Sequence, residues 1–190
     1  IHYTGGDLMV CSKKKESGNS GYAKLIINGF EKSSPGWTDA NAAFINDSLF
    51  SECQRSYMFD SLSEWGPGCS MLLDTFIMGV NDFIDVSADV MPLSDNTNAV
   101  LVTEIKNSKD SLIFWGGGDF KNFAMMQGRW NPVVFSLKLS DMSLAGDSNI
   151  VKIYVWNSGK SHFLLDNIQI GLRPGNPLLY WVVEEEGGRW

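Results

Sequence analysis

Between Ile150 and Ile170 the chain reads IVKIYVWNSGKSHFLLDNIQI, and this stretch limits the fold more than any other. Val151, Ile153 and Val155 alternate with Lys152, Tyr154 and Trp156, the two-residue period of a pleated strand. Asn157-Ser158-Gly159 supplies turn residues, because glycine tolerates positive φ and asparagine can approach it. The return strand then places Leu164, Asp166, Ile168 and Ile170 on one face. A carboxylate between aliphatic neighbours is costly unless something compensates it. Asp166 is therefore the sharpest chemical signal in the chain.

The same period recurs upstream. FIDVSADVM (Phe83–Met91) sets Ile84, Val86, Ala88 and Val90 against Asp85, Ser87 and Asp89, an antiparallel strand with one wet face. WNPVVFSLKL (Trp130–Leu139) opposes Val133, Phe135 and Leu137 to Val134, Ser136 and Lys138, with Pro132 suiting a strand entry or an edge. Further strands are expected at Tyr22–Glu31, Gln54–Phe59, Met71–Met78, Ala99–Lys106 and Ser111–Trp115, the last broken by Gly116–Gly118. Asn41–Phe50 suits a short helical turn or a strand equally well. No amphipathic helix and no internal repeat is evident. Many short strands separated by turn chemistry argue for an all-β, antiparallel β-sandwich of jelly-roll type. The expected organisation is a polar arm over residues 1–21, the sandwich over 22–171 and an extension over 172–190.

Composition narrows the partners. In 190 residues the formal charge is −7 and the isoelectric point about 4.7, so nucleic acid, which needs a clustered basic face, is excluded. Lys13–Lys15 is the sole basic run and reads as a solvated tip. No apolar run approaches the roughly 20 residues of a membrane span. The three cysteines, Cys11, Cys53 and Cys69, fit neither zinc nor redox spacing. A Cys53–Cys69 bridge and free thiols are both open readings. Asn46-Asp47-Ser48 is formally a glycosylation sequon.

Catalytic signals are thin. His2 and His162 are the only histidines, and no G-x-S-x-G elbow or H-E-x-x-H is present. A cysteine–His162 dyad has no local support. Carboxylates such as Glu52, Glu64, Asp74, Asp85, Asp89, Glu104 and Asp119 could serve a glycosidase, but acids on a wet sheet face look the same. Glycan binding instead needs exposed aromatic rings for the apolar faces of sugars, with polar side chains for their hydroxyls. Trp37, Trp65 and Trp115 lie in or beside Gly- and Pro-rich loops and are the ligand candidates, with Asp119 and Asn122 as polar partners. Trp130 and Trp156 fall inside strand patterns, where core packing is expected.

The order of NGFE (Asn28–Glu31), VSADV (Val86–Val90), AVLVTEI (Ala99–Ile105), Trp130 and finally KIYVWNSGK…FLLDNI resembles bacterial carbohydrate-binding-module-type jelly rolls, the galactose-binding-domain-like sandwiches. Such modules occur alone or attached to secreted glycan-degrading enzymes. The likeness spans roughly Tyr22 to Ile170 and is most specific in the closing hairpin. It implies a structural calcium at the sandwich edge, held by an acid of the first strand and the acid of the last, here Glu31 and Asp166. This chain has Asp166-Asn167 where the family often shows two acids. First and last strands of a jelly roll are neighbours, so the two carboxylates could face one cation.

The expected function is a non-catalytic carbohydrate-binding or cell-surface adhesion module, extracellular, periplasmic or at the cell surface, with a polysaccharide as partner. A hydrolase or lyase on the same scaffold is the first alternative. A structural module packing against a neighbouring domain is the second, and it would draw on an apolar patch around Leu178–Trp181.

Overall fold

The computed structural model describes residues 24–31, 37–38, 41–73, 82–142 and 148–175. The expectations for the arm over 1–21, for His2, Cys11, Asp74 and the end of the Met71–Met78 run, and for the patch around Leu178–Trp181, fall outside these residues.

Among the described residues ten strands form two antiparallel sheets. They are β1 (Lys24–Asn28), β2 (Ile45–Asn46), β3 (Ser56–Phe59), β4 (Cys69–Leu72), β5 (Phe83–Pro92), β6 (Val100–Lys106), β7 (Leu112–Asp119), β8 (Asn131–Lys138), β9 (Ile150–Trp156) and β10 (Phe163–Arg173). One sheet runs β2-β3-β10-β5-β8, with β1 also paired to β10; the other runs β4-β9-β6-β7. Among the described residues the only helical pieces are short 3-10 turns, at Ala42–Phe44, Phe120–Asn122 and Leu139–Asp141. Asn41–Phe50 thus holds both of its alternatives, a helical turn followed by a two-residue strand. This is the antiparallel jelly-roll sandwich expected from the alternation.

The alternating residues meet between the sheets. Ile84, Val86, Ala88 and Val90 of β5 face Leu101 and Ile105 of β6 and Val151, Ile153 and Val155 of β9 in one buried core. Phe59 and Phe163 stack at its centre, 4.5 Å apart and 12° from parallel, and Phe120 meets Phe163 edge-on. Their burial supplies the hydrophobic drive that joins the layers.

Two sequence expectations need correction. Gly116–Gly118 do not break β7; they continue it to Asp119. Bare backbone is required there, because a Cβ on Gly117 would overlap the Leu101 carbonyl of β6. The second correction concerns β10, whose register with β5 shifts between Asp166 and Gln169. Asn167 sits at the shift with φ of 49°, so the chain gains a residue and the alternation changes phase. Phe163 and Leu165 point into the core before the bulge, and Ile168, Ile170 and Leu172 point into it afterwards. Asp166 therefore does not share the face of Ile168 and Ile170. It lies opposite Asp89 on the outer side of its sheet, where the turn after Phe50 covers it completely.

The cysteines separate into two roles. Cys53 is disulfide-bonded and Cys69 is a free, buried thiol, so no Cys53–Cys69 bridge forms. Burial pushes the Cys69 thiol up to about 11, which leaves it protonated and packed in the core. Neither can act as the nucleophile of a dyad with His162.

Candidate functional site: an aromatic face on the four-stranded sheet

The outer face of the β4-β9-β6-β7 sheet follows directly from strand period. Val151, Ile153 and Val155 point inward, so Lys152, Tyr154 and Trp156 point out. Register then sets their neighbours. Trp156 lies beside Val100 and Tyr154 beside Val102, while Lys152 lies beside Glu104. On the far side of β6, Glu104 pairs with Trp115, Val102 with Gly117 and Val100 with Asp119. Trp65 joins from the loop before β4 through an isolated bridge to Trp156.

The rings converge. Trp65 and Trp156 stack 5.8 Å apart at 11°, and Trp115 meets Trp156 at 6.0 Å and 73°. Tyr154 meets Trp65 edge-on at 5.7 Å. Trp115 can lean across toward Trp156 because Gly117, beside it on the same face, offers no side chain. Val102 is fully buried beneath this set despite pointing outward. Trp65 and Trp115 remain 56% and 45% exposed, a large apolar area to leave in water.

A polar line runs alongside. The Trp115 Nε1–H donates to the Tyr154 hydroxyl (3.3 Å), which donates to Glu104 Oε2 (3.4 Å). Lys106 Nζ reaches Glu104 Oε1 at 3.5 Å and Asp110 at 3.2 Å. Burial and the Glu104 carboxylate push the Tyr154 hydroxyl above the ordinary tyrosine range, against the opposing effect of the Trp115 N–H. Tyr154 stays a donor, and Glu104 keeps lone pairs free for a ligand hydroxyl.

What holds Trp65 in place is Asn157, a residue the sequence reading treats only as part of a turn. It is fully buried. Its Nδ2 lies within hydrogen-bond reach of the carbonyls of Asp60, Ser63 and Ser161, its Oδ1 accepts from the Ser161 N–H, and its own N–H donates to Glu64 O. Turn 60–64 is thereby tied to the β9–β10 turn, and Trp65 follows immediately.

The expected ligand residues divide. Trp65 and Trp115 meet on this face through Trp156. Trp156 itself belongs to the outer face and not to the core, contrary to the sequence expectation. Large aromatics are usually buried, and that weighting overrode an alternation that already grouped it with Lys152 and Tyr154. Trp130 is half-buried and stands outside the central core. Trp37 is not an exposed loop ring. It bridges to Cys69 of β4 and packs against the core, with its Nε1 buried and unpartnered. Asp119 ends the row begun by Trp65 and Trp156, but its Oδ1 accepts from the Lys121 N–H and caps the following turn. Asn122 is exposed in that turn, beyond the end of the sheet.

Glu31 and Asp166 each bind backbone of the turn over residues 51–54, at different N–H groups. Asp166 Oδ2 accepts from the N–H groups of Ser51 and Glu52, and its Oδ1 from that of Asn167. Glu31 Oε1 accepts from the Gln54 N–H. Asp89 joins through the Ser51 hydroxyl and the Asn167 amide. Burial, with Asp89 adding to it, outweighs the three N–H bonds and raises the Asp166 carboxyl to about 6. Among the described residues no lysine or arginine side chain pairs with the carboxylates of Glu31, Asp89 or Asp166. The turn therefore carries uncompensated negative charge. No group of three or more acidic, His or Cys side chains with metal-site geometry exists among the described residues. Calcium there would draw its remaining oxygens from loop carbonyls.

No family model and no curated protein matches the chain. Solved structures do. The C-terminal family 22 carbohydrate-binding module of Clostridium thermocellum Xyn10B aligns with a TM-score of 0.54 at 14% identity, covering 82% of this chain and 96% of that one. The CBM22-2 xylan-binding domain of Paenibacillus barcinonensis Xyn10C gives 0.52 at 14%, covering 77% and 98%. The tandem CBM22-1–CBM22-2 domain of the same protein gives 0.51 at 14%, covering 80% of this chain and 46% of that one. At such identities the likeness is one of fold, and it is the jelly roll expected from the sequence.

Proposed function

We propose that the chain is a non-catalytic carbohydrate-binding module that holds a single soluble polysaccharide strand, of the xylan type, on the outer face of its four-stranded sheet. The observation carrying this reading is the set of contacting rings, Trp65, Trp156 and Trp115, beside the Tyr154–Glu104 pair. Rings stack on the apolar faces of sugars, and the hydroxyl and carboxylate bond their edges. The 73° angle between Trp156 and Trp115 matters for the ligand class. A flat crystalline surface needs coplanar rings, whereas a twisted free strand presents successive sugar faces at an angle. The fold shared with modules described as xylan-binding supports the same class. Among the described residues no helix is long and apolar enough to cross a membrane. An exported location, beside a glycan-active neighbour, agrees with this task. The test is native electrophoresis in gels containing soluble xylan. The protein should be retarded, and Trp115→Ala should migrate as in a gel without polysaccharide. Unaltered mobility of the native chain would contradict the reading.

In this reading Glu31 and Asp166 hold a structural calcium, whose charge would compensate the two carboxylates. Its absence and presence should give opposite pH trends. In chelator, Asp166 has a folded-state pKa near 6, above its ordinary 3.8. The stability it contributes is present at low pH and is lost as pH rises through about 6. Melting temperature in EGTA should therefore fall between pH 5 and pH 7.5, and added Ca²⁺ should raise it by several degrees at pH 7.5. A melting temperature indifferent to both would discard the cation.

A further inference from the structure

Trp65 has a second neighbourhood. It forms one wall of a cavity of about 350 Å³ at the open side of the sandwich, lined also by Thr38, Asn41, Phe44, Tyr57 and Glu64. Its walls are tied down. Thr38 and Gly68 are joined by three hydrogen bonds: the Thr38 N–H (2.7 Å) and hydroxyl (3.3 Å) donate to Gly68 O, and the Gly68 N–H donates to Thr38 Oγ1 (2.8 Å). Phe44 stands on the 3-10 turn that Asn41 caps, and Asn157 fixes the strip from Asp60 to Glu64.

Tyr57 gives this cavity its chemistry. It is a core residue of β3, only 3% exposed and packed among Phe30, Phe44 and Phe59. Its hydroxyl makes no hydrogen bond among the described residues and is not one of the fully enclosed unpaired polar atoms, so it is open to a partner from outside the protein. That hydroxyl belongs to a residue lining the cavity, which is where a partner can reach it. Burial, then the negative charge of Asp60, push it above the ordinary tyrosine range, so it is a donor at any working pH.

We infer that this cavity receives a neutral single-sugar branch of a decorated polysaccharide whose backbone lies across Trp65, Trp156 and Trp115. This rests on the glycan reading above and names its substrate more closely. Three features set the class. The volume, at the small end of ligand cavities, admits one sugar ring and not a chain. Two aromatic walls, Trp65 and Phe44, face polar groups from Tyr57, Asn41 and Glu64, the mixed lining that a sugar ring requires. Asp60 and Glu64 make the surroundings negative, and among the described residues the lining holds no lysine or arginine, so an acidic branch is repelled. Trp65 joins the two sites, because the ring that stacks on Trp156 also lines the cavity.

Calorimetric titration with matched ligands tests this. The pairs are xylohexaose against the same backbone carrying one arabinosyl branch, and cellohexaose against a xyloglucan oligosaccharide. The branched member of the bound pair should bind about tenfold tighter, consistent with one or two added hydrogen bonds plus ring contact. A glucuronosyl branch should give no gain. Tyr57→Phe keeps the packed ring and should cut the branch advantage to about threefold or less, leaving linear-ligand affinity and melting temperature unchanged; Glu64→Gln, on an exposed residue, should do likewise. Equal affinity for linear and branched ligands overturns this inference alone, as does an advantage that survives both substitutions. If neither member of either pair binds, the inference falls together with the glycan reading.

Discussion

Trp156→Ala is expected to lower affinity for a soluble xylan oligosaccharide by at least about thirtyfold while the far-UV spectrum of the sandwich is retained. The size follows from position. Central aromatic anchors of a binding surface cost upward of about 2 kcal/mol on truncation. Trp156 is the ring that both other tryptophans touch, at 5.8 Å and 6.0 Å. Removing it takes away one stacking surface and also the support that orients Trp65 and Trp115. Its own Nε1 is buried and unpartnered, so the substitution breaks no internal hydrogen bond. The fold survives because Val151, Ile153 and Val155, on the opposite side of β9, carry that strand's share of the core. Titration followed by tryptophan fluorescence measures the loss. An affinity within threefold of the native protein would remove the face from the binding account.

Asn157→Ala carries the largest expected loss of stability, about 3 kcal/mol or more. The carbonyls of Asp60, Ser63 and Ser161 would lose their amide donor, and the Ser161 N–H would lose its acceptor, all around a fully buried side chain. Each buried polar group left unpaired costs about 1–3 kcal/mol, partly relieved by water entering the space. Asn157→Asp is no rescue, because a carboxylate cannot donate to three carbonyls. Urea denaturation should show a lower midpoint with an unchanged slope in both variants. Ligand affinity should fall as well, since turn 60–64 carries Trp65. An unfolding free energy within about 0.5 kcal/mol of the native value would mean that the turn is held by something else.

Strand positions in this chain were legible because each reports its burial through its neighbour at i+2. FIDVSADVM becomes β5, and its four aliphatic residues enter the core as the alternation requires. The same logic already placed Trp156 outside, beside Tyr154. It failed at Trp156 because a general preference for burying large rings was weighed above the local period. Asp166 shows a different limit. Its burial follows from composition, but its side of the sheet depends on the extra residue at Asn167, and a bulge leaves no mark in a two-residue pattern. Asn157 and Asn131 show a third. Asn131 holds the loop before β8 through Met126 and Arg129, as Asn157 holds the loop before Trp65. Both read as turn or strand-entry residues, because a buried amide is distinguished by partners distant in sequence. Tyr57 was hidden for the same reason, since β3 gives its packing and says nothing of where its hydroxyl ends.

The seven tryptophan indoles offer the most direct test of where this protein meets a glycan. In a ¹H–¹⁵N titration with xylohexaose, the Nε1–H signals of Trp65, Trp115 and Trp156 should move together and saturably, while Trp37, locked against the core, stays fixed. Movement confined to other tryptophans, or no movement of these three while the ligand binds elsewhere, would contradict the aromatic face as the binding site.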